Sequence, residues 1–305
     1  VAKAKPATRL VKAGRGHSYL LDGEACPGVT TILDRGVPKP GLIGWASSTV
    51  ADFVVNRLNV ARNDKGEVRI VADDLVRDAL DWNSTREGWK RVQVSNDPLP
   101  RLGLAEILKN IRYRDSGEAA ARGTEVHGFA ARLANGEAVL VPKHLEGHVL
   151  AYVRFLEEWQ PANAIVEQTG VNRSWKYMGT FDLLADFPGV WTDGPWSGKP
   201  IGTGLLDVKT ARSGVFADNA LQLVGYKEFE TIIVDRDTGE EEPMPEVDWV
   251  GVLHVRADGY SVHPMLIDEN TFRTFLYIKQ VGDWLDRDNG AAATVVADAV
   301  SPPTI

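Results

Sequence analysis

The sequence predicts an α/β protein, with a mixed central sheet flanked by helices and a mostly helical extension in front of it. Three observations carry this expectation. Residues 164–172, 178–187 and 204–210 form three successive extended runs rich in Val, Ile and Leu, separated by turn-forming residues. Helix-periodic stretches flank them, the clearest being Leu145, Val149, Tyr152, Leu156 and Trp159. Before Ser116 the chain is largely helical in pattern, so the expected division is an extension over 1–115, a core over 116–288 and a flexible tail over 289–305.

The elements follow in order. Residues 17–21 with Asp22-Gly23 read as a strand and a turn, and Gly28-Val-Thr-Thr-Ile-Leu33 reads as a second short extended run. Leu42, Trp45, Ala46, Val50, Phe53, Val54 and Leu58 predict an amphipathic helix over 41–60. Asn63-Asp-Lys-Gly66 predicts a turn, 67–71 an extended piece, and Asp73 or Asp74 the cap of a helix through Trp82. Beyond it, Trp89, Lys90 and Arg91 offer a face for nucleic acid, although tryptophan in a helical region is more often core. Ser116 reads as the start of a helix closed by Asn135-Gly136. Gly123, His127, Ala130, Ala131 and Ala134 give that helix a small face, which lets another element approach with His127 in the contact. A helix over 145–159 is stopped by Pro161. Asp218 is expected to cap a helix through Ile233, with Gln222 and Tyr226 one turn apart. Residues 249–255 and 260–266 predict a hairpin, and Asp268 the start of a last helix through Leu285.

Composition removes several function classes. No apolar run approaches the ~20 residues that span a bilayer, so no membrane segment is expected. The first residues, Val-Ala-Lys-Ala-Lys-Pro, lack the apolar region of a secretory leader. Cys26 is the one cysteine, which rules out an intrachain disulfide, an all-cysteine zinc site and an iron-sulfur cluster, and makes a cytoplasmic setting the expectation. The formal net charge of −8 is unevenly placed. Residues 230–248 hold eight acids against Arg236, whereas 86–132 hold nine bases against six acids. A basic surface is therefore compatible with an acidic chain, as is a solvated face with ordinary ion pairs.

The chemistry concentrates in 178–210. Two apolar runs each carry a carboxylate, Gly-Thr-Phe-Asp182 and Leu-Leu-Asp207-Val-Lys209-Thr. A charge within strand sequence costs several kcal/mol unless a cation or hydrogen bonds offset it. Two such carboxylates need something positive between them, and a divalent ion would serve. Lys209 shares the strand parity of Asp207, so both side chains are expected on one face of the sheet.

These residues resemble a known set. His127 within Arg-Gly-Thr-Glu-Val-His, Gly-Thr-Phe-Asp182, Leu-Leu-Asp207-Val-Lys209-Thr and Gln222-Leu-Val-Gly-Tyr226, in that order, resemble the RecB-like branch of the PD-(D/E)xK nuclease superfamily. The resemblance covers Ser116 to about Leu266. Pro-Gly-Val-Thr-Thr-Ile-Leu and Gly-Leu-Ile-Gly-Trp near the front also resemble phage and bacterial exonucleases of this branch, less specifically. It implies a restriction-endonuclease-like core in which His127, Asp182, Asp207 and the backbone carbonyl of Val208 ligate Mg2+ or Mn2+. Lys209 would orient water or neutralise developing charge, with Gln222 and Tyr226 facing the same site. Glu167 matches a carboxylate often seen in this branch, the alternative being a strand-edge acid facing solvent. Arg173, Lys176 and Arg212 are candidates for contact with DNA phosphates, or surface cations without that role.

The activity implied is a metal-dependent DNA exonuclease acting on duplex ends in recombination or repair and leaving 5'-phosphate products. The setting implied is a bacterial or phage-infected cell. Its partners would be DNA, as duplex ends or single strand, and a single-strand annealing protein. Homo-oligomeric rings are known among related phage exonucleases. Relatives with four iron-sulfur cysteines exist, and this chain cannot follow them. The alternatives are a structure-specific or restriction-like endonuclease and a non-catalytic DNA-binding module. A separate metal reading exists at His144-Leu-Glu-Gly-His148, where two imidazoles at i, i+4 offer a zinc site without an evident third ligand.

Overall fold

A computed structural model describes residues 5–13, 16–38, 40–62, 64–85, 87, 101–212 and 214–286. Trp89, Lys90 and Arg91 and the tail from Asn289 lie outside the described residues, as do the side chains of Arg101, Arg112 and Arg114. Seven strands form one sheet in the order β10-β9-β6-β7-β8-β11-β12. The members are β6 (Ala162–Asn172), β7 (Tyr177–Val190), β8 (Pro200–Lys209), β9 (Thr231–Asp235), β10 (Glu240–Pro243), β11 (Trp249–Arg256) and β12 (Gly259–Met265). All neighbours are antiparallel except β8 and β11, which run parallel, with Asp207 beside Val252 and Lys209 beside His254. The sheet is therefore mixed, as expected.

Successive residues of the central strands enter different cores. Leu184, Leu205 and Val252 join Val29, Ile32, Leu223, Tyr226 and Phe275 in one cluster. Leu183, Leu206 and Leu253 join Ala130, Tyr152 and Phe155 in another. A sheet covered on both faces needs near-continuous apolar strands, which is why Leu-Leu pairs occur in both β7 and β8. Helices α1 (Val29–Gly36), α6 (Asp218–Lys227) and α7 (Glu269–Asp286) contribute to the first cluster, and α4 (Arg101–Ala134) and α5 (Glu146–Trp159) to the second. Asp268 caps α7, accepting the Thr271 N–H at 2.8 Å.

Four local expectations change. Residues 28–33 are helical rather than extended: only Gly28 makes an isolated bridge, to Met178, and Val29, Ile32 and Leu33 bury themselves as one helix face. Their β-branched run suggested a strand, and core burial overrides that propensity. The helix expected over 218–233 ends at Lys227, because Phe229 lies against Gly170 and Thr231-Ile-Ile-Val pairs with β6. The helix expected from Ser116 begins at Arg101 and continues through that position. The helix expected to reach Val60 is α2 (Pro40–Val55), followed by a two-stranded ladder of β4 (Asn59–Arg62) and β5 (Val68–Val71).

The chain divides into two compact units, one holding residues 1–38 and 123–305 and the other 39–122. The first 38 residues thus belong with the sheet and not to a separate extension; they add a three-stranded sheet of β1 (Arg9–Ala13), β2 (Gly16–Leu21) and β3 (Glu24–Cys26). In the other unit, Phe53, Leu75 and Ile111 are buried in a core of α2, α3 (Asp73–Ser84) and the first part of α4.

Candidate metal centre

Five elements deliver the polar side chains. His127 comes from the last turns of α4. The small face of that helix allows a close approach, such that a Cβ on Gly123 would stand 3.3 Å from Thr210 Oγ1. The His127 Nδ1 lies 3.0 Å from Asp182 Oδ1 on β7 and 3.8 Å from Glu167 Oε1 on β6. Glu167 sits between the registered pairs Val166↔Leu183 and Gln168↔Phe181, hence opposite Asp182. Its φ is +49°, a left-handed conformation rare for a non-glycine residue inside a strand. The Arg236 guanidinium donates to the Glu167 carbonyl at 2.6 Å. Among the described residues, His127, Glu167 and Asp182 are the one group whose ligand atoms lie close enough for a metal ion, all within 4.8 Å of one another.

A second set adjoins it. The Lys209 ammonium is 2.7 Å from Asp207 Oδ2 and donates to Gln222 Oε1 at 3.1 Å. Gln222 Nε2 donates to Asp207 Oδ1 at 2.8 Å and lies 3.0 Å from the Tyr226 hydroxyl. Asp207 is 2 % exposed, and its Oδ2 has no aligned hydrogen-bond donor, so the lysine holds it by charge. The second oxygen of Asp182 accepts the Val208 N–H at 2.6 Å, tying the two sets together.

Charge explains the ionisation pattern. Burial alone would drive the His127 imidazole to its neutral form, but Asp182, Glu167 and Asp207 outweigh it and lift the pKa from 6.5 to about 9. Burial also pulls at Lys209, and Asp207 more than restores its proton. Burial pushes Asp207 up, with Lys209 opposing the effect and Asp182 adding to it. Asp182 is held below the usual carboxylate range: burial would raise it, and His127 wins. Three carboxylates face one ammonium here. The raised pKa of His127 adds a second positive charge to this cluster.

Two carboxylates and one imidazole are a donor set that could hold a divalent cation. Two ligands bound at about 2.1 Å stand about 3 Å apart when adjacent and about 4 Å apart when opposite. The separations of 3.0 and 3.8 Å fall in that range. Compared with known proteins, the chain matches no family model and no curated relative.

The expected ligands are partly rearranged. His127 and Asp182 meet as anticipated, but the third member of the close group is Glu167, whereas Asp207 is engaged by Lys209 and Gln222. Val208 contacts Asp182 through its N–H. Arg173 spends its guanidinium on Glu241, with both nitrogens at 2.9 Å, and does not present a free cation. Lys176 and Arg212 are exposed. At the proposed zinc pair, His144 is 3.4 Å from Glu125, and no three-ligand group forms there among the described residues. Tyr152, read only as one member of an apolar stripe, is buried where burial first, then Asp182 and Glu167, raise its pKa. Its hydroxyl in an otherwise apolar stripe was the available signal.

Proposed function

We propose that this protein is an Mg2+- or Mn2+-dependent deoxyribonuclease that hydrolyses phosphodiester bonds from the ends of duplex DNA and leaves 5'-phosphate products. The observation that carries the reading is the junction of the His127–Glu167–Asp182 group with the Asp207–Lys209–Gln222 set through the Asp182–Val208 hydrogen bond. His127, Glu167 and Asp182 would hold the ion, with Asp207 contributing charge beside it. A divalent cation there would supply Lewis acidity toward the phosphate and acidify its water.

The protein's own groups then divide the work. Lys209 keeps its proton because Asp207 stands beside it, so it can donate to a phosphate oxygen as negative charge builds there. Gln222 accepts from the lysine and donates to Asp207, which aims the ammonium away from other rotamers. Tyr226, 4 % exposed, closes the apolar side of this network and keeps bulk water from it. Burial of these groups strengthens each electrostatic contact relative to water.

The test uses end-labelled linear duplex and closed circular DNA with Mg2+, Mn2+ or EDTA. Linear DNA should be consumed from its ends only when a divalent ion is present, and circles should survive. Asp207→Asn and Lys209→Ala should each lower the rate by about 100-fold or more. Nicked circles would indicate an endonuclease, and unchanged degradation by both variants would place the active centre elsewhere.

A further inference from the structure

Between β8 and α6, the described residues 210–212 and 214–217 are tied to the rest of the protein at several points, yet one of them exposes a phenyl ring. At the start of this stretch, His254 Nε2 contacts the Ala211 carbonyl at 2.7 Å. Toward its end, Val215 packs against the core. The Phe216 N–H donates to Asn219 Oδ1 at 2.8 Å, and the Asn219 N–H donates back to the Phe216 carbonyl at 3.1 Å. Asn219 is 8 % exposed, so a buried amide is committed to fixing this turn. The Phe216 side chain nevertheless remains 54 % exposed. Single exposed apolar residues are ordinary on protein surfaces. This one differs in lying in sequence between Lys209 and Gln222, two side chains that both contact Asp207, with its backbone tied to Asn219.

We propose that Phe216 is a base-stacking residue: its ring packs on the face of a nucleobase near the phosphate met by Lys209, with Arg212 on the same loop meeting a neighbouring phosphate. This rests on the phosphodiesterase reading above. The reach is adequate. A β-turn spans less than about 7 Å and three helical residues rise about 4.5 Å, so Phe216 lies within roughly 12 Å of Gln222 along the chain. Bases rise about 3.4 Å per step, so that span corresponds to three or four nucleotide steps. Base–aromatic stacking contributes about 1–3 kcal/mol per base and tolerates any sequence, a property suited to an enzyme that consumes a strand without reading it. An exposed Phe loses little rotamer entropy on contact, because only two side-chain torsions need settling.

The experiment uses the full chain and a short blunt duplex carrying 2-aminopurine near its end, beside a matching duplex with an abasic site at that position. Binding and fluorescence are read with Mn2+ in the Asp207→Asn background, and cleavage in the native background. Phe216→Ala should raise KM about tenfold with kcat nearly unchanged and abolish the stacking-dependent fluorescence change, while Phe216→Trp restores both. On abasic DNA, proteins with and without the Phe216→Ala substitution should bind alike. Cleavage and fluorescence by Phe216→Ala equal to native, or an equal loss on intact and abasic DNA, would overturn the proposal. Native protein that binds and stacks the probe but never cleaves DNA would reject the hydrolase reading and keep the stacking.

Discussion

Glu167 is the residue at which local strain and candidate chemistry coincide. It stands in β6 with φ of +49°, its carboxylate 3.8 Å from His127 and its strand opposite Asp182. Such a conformation costs on the order of 1 kcal/mol for a residue with a Cβ, and nothing in strand pairing asks for it. It also puts a second acid opposite Asp182, which repels it. Glu167→Gly removes both penalties. In EDTA the variant should melt a few degrees higher than the native protein, whereas the rise in Tm produced by Mn2+ should shrink. Calorimetry with and without the ion checks this. A Mn2+ increment equal to native would remove Glu167 from the ion site. The sequence offered Glu167 as a match to a carboxylate of the resembled family or as a strand-edge acid facing solvent; its torsion depends on the two strands being paired, so no single-strand pattern could contain it.

At the scale of elements, the position of α6 decides whether Gln222 and Tyr226 reach Asp207. That position is set by a close approach. A Cβ on Gly170 of β6 would stand 2.0 Å from the Phe229 ring, and Phe229 in turn stacks near Tyr226 at 5.8 Å. Gly170→Ala should therefore cost about 1–3 kcal/mol through overpacking and should lower the hydrolysis rate as well, because the shifted ring pushes on Tyr226. Thermal melts and rate measurements on this variant test both parts; full activity with a native Tm would mean that Phe229 has room to move. The same contact explains why the helix expected over 218–233 stops at Lys227. Its amino acids have a helical spacing, but a glycine on a neighbouring strand, far away in sequence, takes the ring and turns 231–235 into a strand. By contrast, α5 and the β11–β12 hairpin were legible, since each forms from apolar periodicity and turn residues within its own length.

For the whole molecule, the unexpected feature is the place of residues 1–38. The sequence suggested a division near Ser116, yet α1 supplies Val29, Ile32 and Leu33, each less than 7 % exposed, to the core beneath the sheet. Burying three such side chains contributes roughly 5–9 kcal/mol, comparable to the full stability of an ordinary domain. A fragment comprising 116–305 should thus fail to fold. Circular dichroism melts of this fragment and the intact chain check this, and a cooperative native-like melt for 116–305 would contradict it. Among the described residues no helix is long and apolar enough to cross a membrane, in line with the composition.

What the sequence determined by itself was the mixed α/β character, the order of the central strands along the chain, and the candidates His127, Asp182, Asp207, Lys209, Gln222 and Tyr226. Asp182, Asp207 and Lys209 stand out as charges set in apolar runs and His127 by the small face of its helix, both local properties. The site roles expected of them and of Gln222 and Tyr226 come from the resemblance of their motifs to a nuclease family. The tertiary structure alone decided that α1 is a helix, that Glu167 lies near His127, and that Asp207 pairs with Lys209 and accepts from Gln222 while Asp182 accepts the Val208 N–H. Each of these depends on the separation of groups from different elements. Distance in space, which controls both charge pairing and packing, is not a function of distance along the chain.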